Sequence, residues 1–303
     1  MYSGEFSGIL RNMALEIENL TKTYPNGVRA LDGVTLSIPH GLFGLLGPNG
    51  AGKSSLMRTI ATLQEPDTGS IQLDGIDTLK NKETMRATLG YLPQEFGFYP
   101  TLSGEATLDH FATLKGLNNA KERKAVVEGL LAQVNLWEAR KKNVGGYSGG
   151  MKQRLGIAVA LLANPKVIIV DEPTAGLDPT ERNRFLNLLA EVGEGATVIL
   201  STHIVEDVRE LCERMAILAR GRVVAQGNPE DVIGRVAGSV WRKVIGKDEV
   251  AEYESRYQII SRRLIAGKPV ITVYQSTDPG EGFEAIAADL EDAYFHAVQE
   301  AEV

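Results

Sequence analysis

A glycine-rich loop that ends in a lysine and two serines is the strongest chemical signal in the sequence. It fits the pattern G-x-x-x-x-G-K-[ST], and its residues are Gly47, Pro48, Asn49, Gly50, Ala51, Gly52, Lys53, Ser54 and Ser55. The backbone N–H groups of such a loop point at phosphate oxygens, and the helix expected to start near Gly52 adds its positive dipole end. Lys53 can reach the β- and γ-phosphates, and the Ser54 hydroxyl can hold Mg²⁺. The sequence therefore predicts a site for a nucleoside triphosphate.

Two acids follow a strongly apolar stretch later in the chain. Residues 167–170 are all β-branched and lack polar alternation, as expected for a central parallel strand that is buried on both faces. Asp171 and Glu172 come next, at the end of the predicted strand where Mg²⁺ and the γ-phosphate would lie. Asp171 suits the metal ion, usually through water, and Glu172 can take a proton from an attacking water or orient it.

Polar groups also follow two other predicted strands. Gln94 ends the strand predicted over residues 89–94, and His203 ends the buried strand predicted over residues 197–203. The carboxyl ends of strands carry the ligand chemistry in sheets of this class. A lone histidine is usually structural, but its place beside the other strand-end groups favours contact with the γ-phosphate.

Three further features are less specific. A second glycine-rich loop, residues 145–150, contains Ser148, Gly149 and Gly150 and precedes a helix predicted over residues 151–164. Such a loop at a helix N-terminus is an anion site, but alone it is better explained as a capping turn. Tyr24 either stacks on a base or is an ordinary surface aromatic, and Asp178 could simply be the N-cap before Pro179.

The elements that must position these residues are those of an α/β fold. Apolar strands are predicted over residues 15–20, 30–38 and 42–46, followed by a helix with Leu56, Ile60 and Leu63 on one face. An inserted helical subdomain is predicted over about residues 95–165, with Phe111, Leu114 and Leu117 as one stripe and Trp137 packed within it. A hairpin is predicted over residues 215–227, turning at Arg220 and Gly221.

The chain divides into three parts by its patterning. Residues 1–12 are a mixed, polar extension, residues 13–237 form the main domain, and residues 238–303 form a small C-terminal α/β accessory domain. In the last part we predict strands over residues 257–264 and 270–274. We also predict a helix that starts near Asp278 and carries Phe283, Ile286 and Leu290. This helix is expected to pack on its own strands or on a partner copy, and the accessory domain is expected to be dispensable for nucleotide binding.

Composition excludes several classes of protein. The 303-residue chain has a net charge of −7, which disfavours a general role in nucleic-acid binding. No apolar run approaches the length of a membrane span, and the opening residues lack the apolar region of a signal peptide. The single cysteine, Cys212, cannot form an internal disulfide and lies on an apolar helical stripe, so a buried position is expected. We therefore expect a cytoplasmic protein.

Residues 15–231 resemble the ATP-binding cassette of ABC transporters, because six motifs occur in the family's order. Beside the P-loop (Walker A), they are Gln94 (Q-loop), residues 147–151 (signature), 167–172 (Walker B), 175–178 (D-loop) and His203 (H-loop). The resemblance implies that Tyr24 stacks on adenine and that Gln94 assists the metal and catalysis. It also implies that Ser148, Gly149, Gly150 and Asp178 contribute to a nucleotide site shared between two cassettes.

The sequence departs from the family pattern at three positions. Tyr147 and Met151 replace the first and last residues of the usual LSGGQ signature, and Ser55 replaces a commoner threonine. Met151 cannot form the hydrogen bond that glutamine would. Ser148, Gly149 and Gly150 are present, so capture of the γ-phosphate is expected to survive.

The resemblance is greatest to the ATPases of drug, lipid and polysaccharide exporters. It implies an ATP- and Mg²⁺-dependent ATPase subunit at the cytoplasmic face of the membrane, with a membrane permease on a separate chain. ATP would lie between two copies or between this chain and a second cassette, with Glu172 as base and His203 and Lys53 at the γ-phosphate. No nucleic-acid partner is expected. The alternatives are a soluble cassette ATPase that acts on ribosomes or DNA, and a module that senses ATP without productive turnover.

Overall fold

The structure is a computed structural model that describes residues 15–301, so the predicted extension over residues 1–12 lies outside the described residues. The strands β1 to β14 are, in chain order, Leu15–Thr23, Arg29–Ile38, Gly41–Leu46, Thr68–Leu73, Ile76–Asp77, Leu89–Leu92, Val167–Asp171, Thr197–Thr202, Arg214–Ala219, Arg222–Gly227, Val240–Val244, Ile259–Ile265, Lys268–Tyr274 and Glu284–Ala285. The helices α1 to α10 are Lys53–Ile60, Lys82–Thr88, Gly104–Leu114, Ala120–Gln133, Gly149–Ala160, Pro179–Gly193, Val205–Leu211, Pro229–Gly234, Val250–Arg256 and Leu290–Glu300.

The central sheet has the strand order β10-β9-β3-β8-β7-β6, and all its neighbours pair in parallel except β10 with β9. Every residue of β7 and β8 is buried, which confirms the prediction of strands covered on both faces. Because β3, β8 and β7 are adjacent and parallel, their carboxyl ends bring the P-loop, His203 and the Asp171–Glu172 pair to one edge. The predicted hairpin between β9 and β10 is confirmed, with Arg220 and Gly221 both at positive φ.

Two hydrophobic cores cover the two faces of the central sheet. The P-loop core is formed by one face of this sheet, helix α1 and the antiparallel sheet β2-β1-β4-β5, and its buried residues run from Leu15 to Leu218. The helical core lies on the opposite face and contains residues of α3 to α8 and α10. Alternate strand residues face each core: Ile169 and Ile199 belong to the first, Ile168 and Val198 to the second.

Helix α1 ends earlier than the apolar pattern predicts. Ala61 closes the helix and Thr62 has a φ of +58°, which an α-helix cannot continue through. Leu63 is consequently 61% exposed and does not extend the buried stripe of Leu56 and Ile60. The prediction for Leu63 was wrong.

The predicted helical subdomain is formed by α3, α4 and α5, which pack against one another. Its buried side chains include Leu108, Ala112, Val127, Leu131 and Leu155. Leu114 was predicted to share the stripe of Phe111 and Leu117 but is 69% exposed at the end of α3. Trp137 packs partly buried against this core, as predicted, and the Arg140 guanidinium lies 3.7 Å from the centre of its ring.

The C-terminal part contains an antiparallel sheet of order β12-β13-β11-β14. Its terminal helix does not start near Asp278 as predicted, because Gly280, Glu281 and Gly282 all have positive φ. Instead, α10 begins at Leu290, where Asp289 and Asp292 form a capping box. Phe283 and Ile286 therefore precede the helix.

Helix α10 packs on the main domain as well as on its own sheet. It contacts α7, α8, β9 and β10 in addition to β12, and Leu290, Ala293 and Tyr294 belong to the helical core. The contact with β12 confirms that this helix packs on its own strands, whereas its packing on the main domain was not predicted. Among residues 15–301, no helix combines the length and the apolarity that crossing a bilayer requires.

Candidate functional site

The P-loop follows β3 and is held tightly by the surrounding backbone. Gly52 has a φ of +106°, and a Cβ there would clash with the carbonyl oxygen of Ala30. A Cβ at Gly47 would clash with the carbonyl oxygen of Leu218. Only glycine fits these two positions, so the loop is shaped by contacts within this chain.

Lys53 is the first residue of α1, and its side chain folds back on the loop. Its Nζ donates to the carbonyl oxygens of Gly47 at 2.6 Å and Pro48 at 3.3 Å, and lies 3.5 Å from Oε1 of Glu172. Only 5% of the residue is exposed, and this burial lowers the pKa of Lys53, while the nearby charges of Glu172 and Asp171 act in the opposite direction. Negative phosphate oxygens would therefore supply favourable partners for this buried cation.

Glu172 lies between Lys53 and His203. Its backbone has a φ of +47°, and its N–H donates to the carbonyl oxygen of Ser201 at 2.8 Å. An ionised carboxylate only accepts hydrogen bonds, so His203 Nδ1–H donates to Glu172 Oε2 across 2.9 Å. The residue is 8% exposed, whereas the His203 side chain is 47% exposed. The carboxylate is therefore oriented, with Oε1 toward the Lys53 ammonium and Oε2 toward the accessible His203 imidazole.

Asp171 ends β7 beside this group and is 4% exposed. Its Oδ1 is buried without a hydrogen-bond partner. Buried polar atoms usually have partners, so an unpaired carboxylate oxygen here leaves a ligand position open. Among residues 15–301, no cluster of three or more acidic, histidine or cysteine side chains could hold a metal unaided.

A cavity of about 270 Å³ is lined by some of the predicted site residues. It is lined by the P-loop from Pro48 to Ser55 and by Tyr24, Val28, Ala30, Gln94 and Glu172. The Tyr24 hydroxyl is 3.0 Å from Ser55 Oγ and donates to Gln64 Oε1 at 3.0 Å, which fixes the ring at the cavity. Of the residues described, none beyond Glu172 lines this cavity, and the dispensability of the C-terminal part stays a prediction.

His203 lines a neighbouring cavity of about 490 Å³ instead. This second cavity is lined by Pro48 and Asn49 of the P-loop, by α7 and by α10, where Tyr294 and Phe295 form part of its wall. The hydrogen bond between Glu172 and His203 therefore joins the two cavities. The proximity of α10 to the P-loop was not anticipated from the sequence, because apolar periodicity does not reveal which surface a helix covers.

The structure does not place the signature residues or Asp178 at the 270 Å³ cavity. Ser148 caps α5 by accepting from Met151 N at 3.2 Å, and Ser148 and Gly149 are exposed. Asp178 caps α6 by accepting from Glu181 N at 3.0 Å, so its N-cap role is confirmed.

The departures from the usual signature have a packing explanation. Tyr147 is buried, and its hydroxyl donates to the Ala139 carbonyl at 2.9 Å, against Gly104, where a side chain would not fit. Met151 is partly buried against the helical core. Cys212 is also buried, as expected, and burial raises the pKa of its thiol to about 12.

Asp207 was not identified as a functional residue from the sequence. This fully buried acid on α7 accepts hydrogen bonds from Thr174, which follows β7, and from Thr202, the last residue of β8. The only sequence signal is an acid beside the apolar stripe of Val205 and Val208, which is a weak one.

Comparisons with known proteins give the family. The family described as "ABC transporter" matches residues 31–175. The chain is 34% identical over 281 residues to the daunorubicin/doxorubicin resistance ATP-binding protein DrrA of Streptomyces peucetius, an alignment that covers 92% of this chain and 81% of that protein. Other relatives, of the ABC transporter A family in Arabidopsis thaliana, are much longer, and the chain spans about 25% of their length.

Two solved structures agree with the fold. Clostridium perfringens cbiO1, described as part of the ABC transporter complex cbiONQ, has a TM-score of 0.67 and 28% identity, covering 81% of this chain and 96% of that one. A dimeric ATP-binding cassette bound to ADP and Pi, in a post-hydrolysis state, has a TM-score of 0.64 and 29% identity, covering 71% and 98% of the two chains. The α/β P-loop fold is thereby confirmed.

Proposed function

The chain belongs to the family of ABC transporter ATP-binding subunits, which bind and hydrolyse ATP, and we propose that it drives an exporter whose membrane-spanning subunit is a separate chain. The observation that carries the hydrolytic part is the group Lys53, Glu172 and His203, which meets at the carboxyl ends of three adjacent parallel strands. Because the base Glu172 and His203 are both present, hydrolysis is favoured over a role that only senses ATP.

Nucleotide binding would use the 270 Å³ cavity. Tyr24 offers its ring to the base, and the loop N–H groups with the dipole of α1 meet the phosphates. Lys53 would exchange the carbonyls of Gly47 and Pro48 for the β- and γ-phosphate oxygens. That exchange relieves a buried cation and offsets the repulsion among the phosphates.

Hydrolysis would proceed by attack of water on the γ-phosphorus. Glu172 accepts a proton from the water as its oxygen bonds to phosphorus, and the bond from phosphorus to the β-γ bridging oxygen breaks, leaving ADP with the electron pair. His203 holds Glu172 through Nδ1, and Lys53 neutralises the charge that develops on the γ-phosphate oxygens. A positioned base of this kind contributes roughly 10²–10⁴-fold to the rate.

The donor set fits Mg²⁺. Asp171 Oδ1 is buried and unpaired, Ser54 presents an exposed hydroxyl in the first turn of α1, and Gln94 offers an amide oxygen at the cavity wall. Mg²⁺ prefers oxygen ligands and takes only one or two carboxylates beside substrate phosphates. Bound there, the ion would supply electrostatic stabilisation of the phosphate charge.

A dimer would complete the site. Related cassettes are dimeric, and here Ser148 and Gly149 are exposed at the start of α5, away from the cavity of their own chain. We infer that Ser148, Gly149, Gly150 and the loop before Asp178 face the nucleotide of a second cassette, either another copy or a different chain.

Export and membrane location are supported by the relative from Streptomyces peucetius, which is named for drug resistance and aligns over most of both chains. The structural relative cbiO1 is described as part of a transporter complex. We propose that this chain is bound to the cytoplasmic face of the membrane through its permease.

The test is a fractionation and activity experiment with a co-expressed candidate permease. The chain should sediment with membranes only when the permease is present, should be released by detergent, and should hydrolyse ATP at a rate that reconstituted permease changes. An alternative role on ribosomes would instead give detergent-resistant sedimentation with ribosomal particles and a rate indifferent to any permease. That result would overturn the transport proposal.

A further inference from the structure

Asp207 is the one acid on α7 that is fully buried, with no solvent exposure, and the hydrolytic chemistry above does not use it. It lines neither the nucleotide cavity nor the neighbouring one. A buried carboxylate is costly unless it is paired and hydrogen-bonded, so contacts within the fold must offset the cost of burying Asp207.

Three segments donate to this carboxylate. Thr174 Oγ1 donates to Oδ2 at 2.7 Å, and Thr202 Oγ1 donates to the same oxygen at 3.4 Å. Arg182 of α6 donates through Nε to Oδ1 at 2.7 Å. Thr174 lies two residues after Glu172, and Thr202 lies immediately before His203. Asp207 therefore connects the two loops that carry the base and its histidine.

We propose that Asp207 is a positioning residue for ATP hydrolysis, which fixes the loop after Glu172 and the loop at His203 in the relative position that hydrolysis requires. This inference rests on the roles proposed for Glu172 and His203. It concerns the hydrolytic step and does not depend on what is transported.

The surrounding backbone supports this role. Ile204 N donates to Thr202 Oγ1 at 3.0 Å, so the hydroxyl that faces Asp207 also fixes the turn that contains His203. Glu172 has positive φ, a conformation that persists only where neighbouring contacts enforce it. The contact of Thr174 with Asp207 restrains the chain just after this strained residue.

The position of the two loops matters because the Glu172–His203 hydrogen bond spans them. Misplacing a catalytic group by about 1 Å can cost roughly 10²-fold in rate. The P-loop and Lys53, by contrast, have no hydrogen bond to Asp207, Thr174 or Arg182 among the described residues. Loss of the Asp207 contacts should therefore reduce turnover and leave ATP binding intact.

The experiment measures kcat and the dissociation constant for ATP in two near-isosteric variants, Asp207→Asn and Thr174→Val. Each should lower kcat by about tenfold or more while ATP affinity stays within about twofold, and the double variant should lose little beyond either single one. Glu210→Gln is the matched control, because Glu210 is exposed on the same helix, and it should retain wild-type kcat.

A second cycle separates positioning from general damage. With Glu172→Gln already present, adding Asp207→Asn should not reduce the residual single-turnover rate further, because the group to be positioned is gone. The proposal would be overturned if Asp207→Asn caused the same loss with Glu172→Gln as in the wild type. It would also be overturned if the losses of Asp207→Asn and Thr174→Val were additive in the double variant, or if both single variants had a normal kcat. If Asp207→Asn does not fold, the kcat of Thr174→Val alone tests the proposal, and a wild-type value would overturn it. An inactive wild-type chain would contradict the proposed ATPase function instead.

Discussion

The two glycine-rich loops of this chain differ in how their glycines are used. In the P-loop, Gly47 and Gly52 lie against the backbone of β9 and β2, and side chains there would strike carbonyl oxygens. In the second loop, Gly149 has helical backbone and is exposed, and outside its own helix and chain neighbours the nearest atom to its Cβ position is Leu177 Cδ2 at 4.0 Å. Gly47 and Gly52 are thus enclosed by their own chain, whereas Gly149 has open space in front of it.

The difference indicates two uses of glycine. At Gly47 and Gly52, glycine is required by the fold of this chain, because a side chain would strike a carbonyl oxygen and because Gly52 also has positive φ. At Gly149, the fold of the single chain does not require glycine, so the reason must lie in what approaches from outside. A phosphate held by a second cassette is such a partner, and the contrast supports the shared site proposed above.

The largest expected effect tests whether the enclosed loop and the base act separately. Glu172→Gln keeps the side-chain shape and removes the proton acceptor, so turnover should fall by roughly 10²-fold or more while ATP still binds. Steady-state phosphate release and equilibrium ATP binding measure the two quantities, with Glu210→Gln as control. Because the nucleotide is retained, a dimer should appear by size-exclusion chromatography in ATP and Mg²⁺. Wild-type turnover in this variant would remove Glu172 from the mechanism.

The next prediction tests whether the two loops serve the nucleotide sites of different chains. Lys53→Ala should weaken ATP binding by about 1–3 kcal/mol, because a charged partner of the phosphates is lost. Gly149→Asp should leave ATP binding to the single chain unchanged but abolish turnover, since a carboxylate would repel the γ-phosphate of the second site.

Mixing these two variants should restore hydrolysis above the sum of the separate preparations. One site of the mixed dimer takes its P-loop from the Gly149→Asp chain and its signature from the Lys53→Ala chain, so both parts are intact. If mixed dimers form and no activity returns, ATP retained per dimer is measured with Glu172→Gln added to both chains. One retained nucleotide supports the shared site, and none contradicts it.

The smallest effect concerns stability. Gly52→Ala should destabilise the protein by about 1–3 kcal/mol, because alanine is strained at a φ of +106° and its methyl group meets a carbonyl oxygen. Gly149→Ala, at a helical position with open space, should change stability by less than about 1 kcal/mol, toward greater stability. Urea unfolding with an unchanged m-value measures both. Equal losses would show that the second loop is as constrained as the first.

The sequence was most informative where chemistry imposes a pattern. The glycines of the P-loop, the acids after an apolar strand and the strand-end histidine are each required by local geometry, and the structure brings Lys53, Glu172 and His203 together. The parallel sheet follows from the same strands, because their buried residues have no polar alternation.

Where helices end and what they cover could not be predicted as well. Leu63 and Phe283 fit a helical spacing, but Thr62 and the segment Gly280 to Gly282 have backbone angles that end or prevent a helix. Asp207 shows the same limit for the site, because two of its three donors, Thr174 and Arg182, lie 33 and 25 residues away in the sequence. A spacing rule describes one element, and these features depend on several.

The packing of α10 has a consequence for the order in which the chain can fold during synthesis. All buried residues of the P-loop core have been made once the ribosome has passed Leu218. The helical core must wait for Leu290, Ala293 and Tyr294, which follow every other described element, and α10 then covers α7, the helix that bears Asp207. Nascent chains therefore acquire the parts of the nucleotide-binding half first, and the support of the hydrolytic loops is completed last.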